Sequence, residues 1–191
     1  MNTFTGYELL WLFFLYSFGG WVLETVTAAL KQKRFVNRGL VNGPFCVIYG
    51  ITAVVMTVGL QELTGGWLYL FAVVYATAAE WISGHLIEKI FRERWWDYSD
   101  VRWNLDGYIC LPASLIFGAL GFCTVRFGNR LLLQLLKFLP GVVMRLVLLA
   151  LVAVLLVDIL ASCILLFGHS KHAARWAETD ERIDEVSEEL G

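Results

Sequence analysis

The run YELLWLFFLYSFGGWVLETVTAAL, from Tyr7 to Leu30, is 24 residues long and contains two carboxylates and no basic side chain. A helix of that length extends about 36 Å at 1.5 Å per residue, against a hydrocarbon core about 30 Å thick. It is therefore read as a membrane crossing. Working outward from it, four more apolar runs of comparable length follow, at about 44–63, 66–90, 108–125 and 140–168. The expectation is an all-α, polytopic integral membrane protein with five transmembrane helices.

Composition points the same way. Of 191 residues, 58% are hydrophobic and 17% charged, and the mean hydropathy is +0.65. Soluble domains run at about 45–50% apolar and about 25% charged. Residues 1–168 then form one membrane-embedded domain and 169–191 an acidic tail, leaving no stretch for a separate soluble catalytic domain. A formal charge of −2 argues against nucleic acid as a partner. The lipid bilayer is the expected surrounding, in a multi-pass protein of the cell membrane.

Orientation is read from Lys and Arg, which are retained on the cytoplasmic side. Lys31, Lys33, Arg34 and Arg38 follow the first span; Lys89, Arg92, Arg94 and Arg102 follow the third; Lys171, Arg175 and Arg182 lie in the tail. The opposite side holds Arg126, Arg130 and Lys137. This predicts an external N-terminus and a cytoplasmic C-terminus. Met1–Gly6 has no base and no small-x-small cleavage site follows the first apolar run, so that span reads as a retained anchor. Asn129–Leu139, with polar residues at helical spacing among leucines, reads either as a short helix on the outer interface or as an N-terminal extension of the fifth span. Cys46, Cys110, Cys123 and Cys163 lie in or beside apolar spans without a C-x-x-C pair, the pattern of buried free thiols.

The residues that carry chemistry are acids within the spans. A carboxylate near a helix centre costs about 2.5–3.5 kcal/mol to insert, so its retention asks for a reason. Glu24 lies roughly 9 Å above the cytoplasmic end of its span, and Glu80 and Asp158 roughly 15 Å above theirs. Glu80, Gly84 and Glu88 stand at i, i+4, i+8 on one helical face, with His85 beside it. Gly20 and Glu24 repeat the small-then-acid spacing, and the glycines let another helix or a ligand approach the backbone. The inner loops add Asn37, Arg38 and Asn42, then Asp97, Tyr98, Asn104 and Asp106, among turn and helix-start signals. Trp95, Trp96 and Trp103 suit an interfacial aromatic belt, and Pro112 a kink or a freed carbonyl early in the fourth span. Glu24, Asn42, Glu80, Gly84, His85, Asn104 and Asp106 form the candidate substrate or ion pathway, with Asn37, Arg38, Glu88, Asp97 and Tyr98 supporting it. The alternative is that these groups pair with Lys and Arg only to fix the loops. Asn42-Gly43…Phe45-Cys46 and Asn104…Gly107-Tyr108-Ile109-Cys110, each after a span with a Trp and an acid, hint at a parallel internal repeat.

Several of these residues carry a resemblance. Gly20-Trp21…Glu24, Asn37-Arg38-Gly39…Gly43-Pro44…Ile48-Tyr49-Gly50, Glu80-Trp81…Gly84 and Trp96-Asp97-Tyr98-Ser99…Asn104…Gly107-Tyr108-Ile109-Cys110-Leu111 resemble the bacterial ABC-transporter type IV permeases, the CmpB-like membrane proteins. The resemblance covers most of residues 7–125. The family's Cys-Pro-Ile-Tyr-Gly here reads Cys46-Val47-Ile48-Tyr49-Gly50. It implies a transporter's membrane component with a polar cavity in the inner half of the membrane. No phosphate-cradling G-x-x-x-x-G-K-[ST] occurs in the chain, so an ATPase would be a separate subunit and no cofactor is implied. Five spans are few to enclose a path, which calls for a homodimer or a second membrane subunit. Two alternatives stay open: an intramembrane enzyme acting on lipid headgroups at the cytoplasmic leaflet, with Glu80, His85, Asp97 or Asp106 as base or metal ligand, and a scaffold or regulatory protein that recruits partners through its tail.

Overall fold

A computed structural model describes residues 4–33, 44–92, 94–162 and 164. Asn37, Arg38 and Asn42, Cys163 and the acidic tail lie outside the described residues. The fold is all-α apart from one small hairpin: helices α1 (Gly6–Gln32), α2 (Val47–Leu60) and α3 (Gly65–Phe91), strands β1 (Asn104–Leu105) and β2 (Ile109–Cys110), then α4 (Leu111–Cys123), a π-helical turn (Thr124–Gly128) and α5 (Asn129–Leu136), and α6 (Gly141–Ser162). The protein is a multi-pass membrane protein.

Local chemistry sets the boundaries. The Thr5 hydroxyl accepts from the Glu8 N–H at 3.2 Å while the Glu8 carboxylate accepts from the Thr5 N–H at 2.9 Å, a capping box that starts α1. Lys33 and Arg92, in left-handed backbone (φ 52° and 58°), end α1 and α3. Pro112 lies in the first turn of α4, where it initiates the helix and breaks no hydrogen bond within it.

Among the described residues four helices, not five, are long and apolar enough to cross a membrane: Gly6–Leu30, Gly65–Ile90, Leu111–Leu136 and Gly141–Ser162. The expected second span is the 14-residue α2, about 21 Å long at the α-helical rise. Its first residues do not lie beside the end of α1. The Cys46 N–H donates to the Ser17 carbonyl at 2.9 Å, Phe45 packs edge-on against Phe14 at 5.7 Å, and a Cβ on Gly50 would strike Ser17 and Phe13. Thus α2 starts beside the middle of α1, a partial-depth helix supported by protein on its polar end. The fourth span is also longer than expected. α4, the π-turn and α5 run on as Leu111–Leu136, so Asn129–Leu136 is neither a separate interfacial helix nor an extension of the last span. It is the end of the fourth.

Packing is pairwise, α1 with α2 and α3 with α4, and α2 also contacts α3 and the π-turn. One apolar cluster joins Trp11 and Phe14 of α1 to Phe45, Leu136 and Leu148. A second gathers Met56 and Leu60 of α2 against Leu68, Ala72 and Ala76 of α3. Small residues permit the close approaches: a Cβ at Gly118 would meet the Val73 backbone, and one at Gly121 the Met56 sulfur. Between them Asn129, 2% exposed, accepts from the Tyr16 hydroxyl at 3.0 Å and donates to Thr57 Oγ1 at 2.9 Å. That bridge ties α1, α2 and α5 with one satisfied amide.

Candidate functional site

Glycine makes room for the first half of the site. The Tyr49 ring of α2 lies against Gly20 of α1, where a Cβ would overlap Tyr49 Cβ at 2.6 Å. Seated there, the Tyr49 hydroxyl donates to Glu24 Oε1 at 2.7 Å, one turn further along α1. The second half is built on α3. The Tyr98 hydroxyl donates to Glu80 Oε1 at 3.0 Å, while Glu80 Oε2 is buried and has no hydrogen-bond partner among the described residues. Glu24 lies close enough to act electrostatically on Glu80 and on Tyr98. The two acids singled out from the sequence thus lie on different helices within electrostatic range of each other, each bonded to one tyrosine.

The loop that delivers Tyr98 is braced from all sides. Leu105 pairs with Ile109 and Asn104 with Cys110, and the turn between them places Asp106 and Gly107 at φ 53° and 74°. Such angles suit a tight hairpin turn and favour glycine at its second position. Gly107 is also required by closeness, since a Cβ would lie 2.5 Å from Asp97 Oδ1. Its carbonyl accepts from the Tyr98 N–H at 2.8 Å. Asn104 Nδ2 donates to the Ser99 and Val101 carbonyls at 3.1 and 2.7 Å, and its Oδ1 accepts from the Gly107 N–H at 3.1 Å. Asp97 accepts from the Ser99 hydroxyl at 2.5 Å and the Ser99 N–H at 2.9 Å, bonds that hold its carboxyl below the usual carboxylate range. Burial, with Glu80 alongside, raises the Tyr98 hydroxyl above its ordinary value, so it remains a donor.

A further group surrounds Glu88, near the C-terminal end of α3. Tyr108 lies against Gly84, whose Cβ would meet its ring at 2.9 Å and that of Trp96 at 3.4 Å. The Tyr108 hydroxyl donates to Glu88, and that bond is the main cause raising Tyr108 above its usual range. Arg94 forms a 2.9 Å ion pair with Glu88, donates to the Asp106 carbonyl at 3.1 Å and stands 4.5 Å over the Tyr108 ring. His85 stacks between Trp81 and Tyr108, with centroids at 4.1 and 3.8 Å.

Gly20–Tyr49–Glu24 and Gly84–Tyr108–Glu88 thus repeat one arrangement, in which a ring lies over a glycine and its hydroxyl bonds an acid one turn on. Gly20 and Gly84, Glu24 and Glu88, and Cys46 and Cys110 are equally separated along the chain. Both cysteines are free and buried, and they precede α2 and α4 as N-caps. The tyrosines do not share this register.

The predicted residues separate accordingly. Glu24, Glu80 and Tyr98 converge; Gly84, His85 and Glu88 form the neighbouring Tyr108 group; Asp97, Asn104 and the backbone of Asp106 serve the loop. Tyr49, Tyr108 and Arg94 were not among the candidates, and the only sequence signal for the tyrosines is a ledge, a glycine four residues before an acid. Two open grooves on the surface are lined by neither Glu24 nor Glu80. Among the described residues no group of three His, Cys, Asp or Glu side chains could hold a metal ion.

Several helices long and apolar enough to cross a membrane define an integral membrane protein. The family model described as "Putative ABC-transporter type IV" matches residues 11–163, and the chain belongs to that family as a membrane-embedded permease subunit. No curated protein and no solved structure matches it significantly.

Proposed function

We propose that this chain is the membrane component of a transporter in which Glu24 and Glu80 form a polar station for a cation or a proton. The observation carrying this reading is that Glu24 of α1 and Glu80 of α3 lie within electrostatic range of each other, each with one oxygen committed to a tyrosine, and Glu80 Oε2 is buried without a partner among the described residues. A carboxylate oxygen has acceptor capacity only, so what completes it is a hydrogen-bond donor, a proton or a cation, and a transporter's membrane component supports the last two. The station lies toward the C-terminal ends of α1 and α3. The Lys and Arg distribution supports placing those ends at the cytoplasmic face. Family membership supports a separate ATPase subunit as partner. α6 leaves most of its surface uncovered within one chain, which supports a second copy or a second membrane subunit against it. The lipid-headgroup enzyme has less support, because of its candidate residues Asp97 is bonded to Ser99 within the loop and His85 is stacked between Trp81 and Tyr108.

The test reads the carboxyl groups directly. Infrared difference spectra of the protein in nanodiscs, on proton or monovalent-cation addition, are expected to show a carboxyl band that Glu80→Gln removes and Glu24→Gln shifts, with unchanged helicity. Identical spectra from the wild type and both variants would overturn the reading.

A further inference from the structure

Two grooves lie end to end along one face of α3. The first, about 470 Å³, is walled by apolar groups including Val74, Ala78, Trp81 and Ile82 of α3 and Leu105 and Ile109 of the hairpin. The second, about 540 Å³, is lined by His85, Glu88, Lys89, Arg92 and Tyr108. His85 and Lys89 stand at i and i+4 on one side of α3, and Arg92, the residue that ends the helix, lines the same pocket. The stack Trp81–His85–Tyr108 joins the two, and adjacent residues Tyr108 and Ile109 each contribute to one of them. Along a few turns of helix the surface changes from an apolar groove to a pocket lined by two aromatic rings, an acid and two cations.

The charge within the pocket decides what it takes. Glu88 is engaged by Arg94 and by Tyr108, so its charge is offset locally, whereas Lys89 and Arg92 are exposed at the rim. The balance favours an anion. The apolar groove continues from the same pocket, and its walls include side chains that are half or more exposed: Val74 at 53%, Ile82 at 59% and Leu105 at 55%. A free phosphate would use only the cationic end. From this continuity we infer that α3 and the hairpin form a binding site for one anionic glycerophospholipid, its phosphate at Lys89 and Arg92 and an acyl chain lying along Val74 to Ile82. This site is separate from the Glu24–Glu80 pair and does not depend on its role.

Native mass spectrometry of the full-length protein, titrated with phosphatidylglycerol and phosphatidylcholine, tests the inference. Two cations at about 1 kcal/mol each correspond to a roughly 30-fold preference for the anionic lipid. Lys89→Gln with Arg92→Gln should bring that preference close to parity, and Ala78→Trp should reduce retention of both lipids. Arg126→Gln with Arg130→Gln, at the far end of the fourth span, should leave it unchanged and serves as the control for general surface charge. Parity in the wild type overturns the inference, as does an equal loss in the control variant. Displacement of phosphatidylglycerol by millimolar glycerol 3-phosphate would also overturn it, by identifying a soluble phosphate site.

Discussion

At the scale of single residues, the acids are governed by what their neighbouring glycines admit. Gly19 and Gly20 are adjacent in sequence, yet a Cβ at Gly19 meets nothing within 4 Å while one at Gly20 enters the Tyr49 ring. Gly20→Ala is therefore expected to lower stability by about 1–3 kcal/mol, and Gly19→Ala to be nearly neutral. Thermal unfolding in detergent distinguishes them. The atoms in the way include Tyr49 Cβ, which moves only with the backbone of α2, so the variant also separates Tyr49 from Glu24. The acids were legible in the sequence because a carboxylate in an apolar run is conspicuous. Their tyrosines were not, because aromatic residues are common near membrane interfaces and nothing in a linear spacing tells which ring reaches back across a helix pair.

The element that positions Tyr98 is a short hairpin wrapped by the segment that precedes it. Its pH dependence follows from Asp97, whose carboxyl the Ser99 hydroxyl and N–H hold below the usual range in the folded protein. A group lowered on folding contributes stability above its unfolded value, about 3.9 for Asp, and loses that contribution as the pH falls through the folded value. Hydrogen exchange across residues 94–110, corrected for intrinsic rates, should thus be flat from neutral pH to about pH 5 and accelerate below about pH 4. Asp97→Asn should exchange faster at neutral pH and show little further change on acidification. The loop's polar residues were visible from sequence as candidates for function. Their internal bonding was not, since Asn104 and Asp97 reach their partners only once Asp106 and Gly107 adopt left-handed backbone. The Asn129–Leu139 segment looks separate in the sequence for another reason: a π-turn changes helical phase at Thr124–Gly128, so the polar positions after it are out of register with the apolar helix before it.

For the molecule as a whole, hydropathy identified each apolar run but could not measure depth. α2 has the composition of a span and the length of part of one, and only its contacts with Ser17 and Phe14 reveal where it starts. The topology proposed above predicts opposite sides for two positions. In a cysteine-free background, a membrane-impermeant maleimide applied to intact cells should label Lys137→Cys and spare Ser99→Cys, with both labelled after permeabilisation. The reverse pattern would invert the chain in the membrane. The mid-depth start of α2 has an electrostatic consequence as well. Peptide dipoles sum along a helix to about half a positive charge at its N-terminal pole, and here that pole lies beside the middle of α1, in the first turn that also carries Tyr49 toward Glu24. The backbone itself therefore supplies a fixed attraction for negative charge beside Glu24, one that no side-chain titration can switch off.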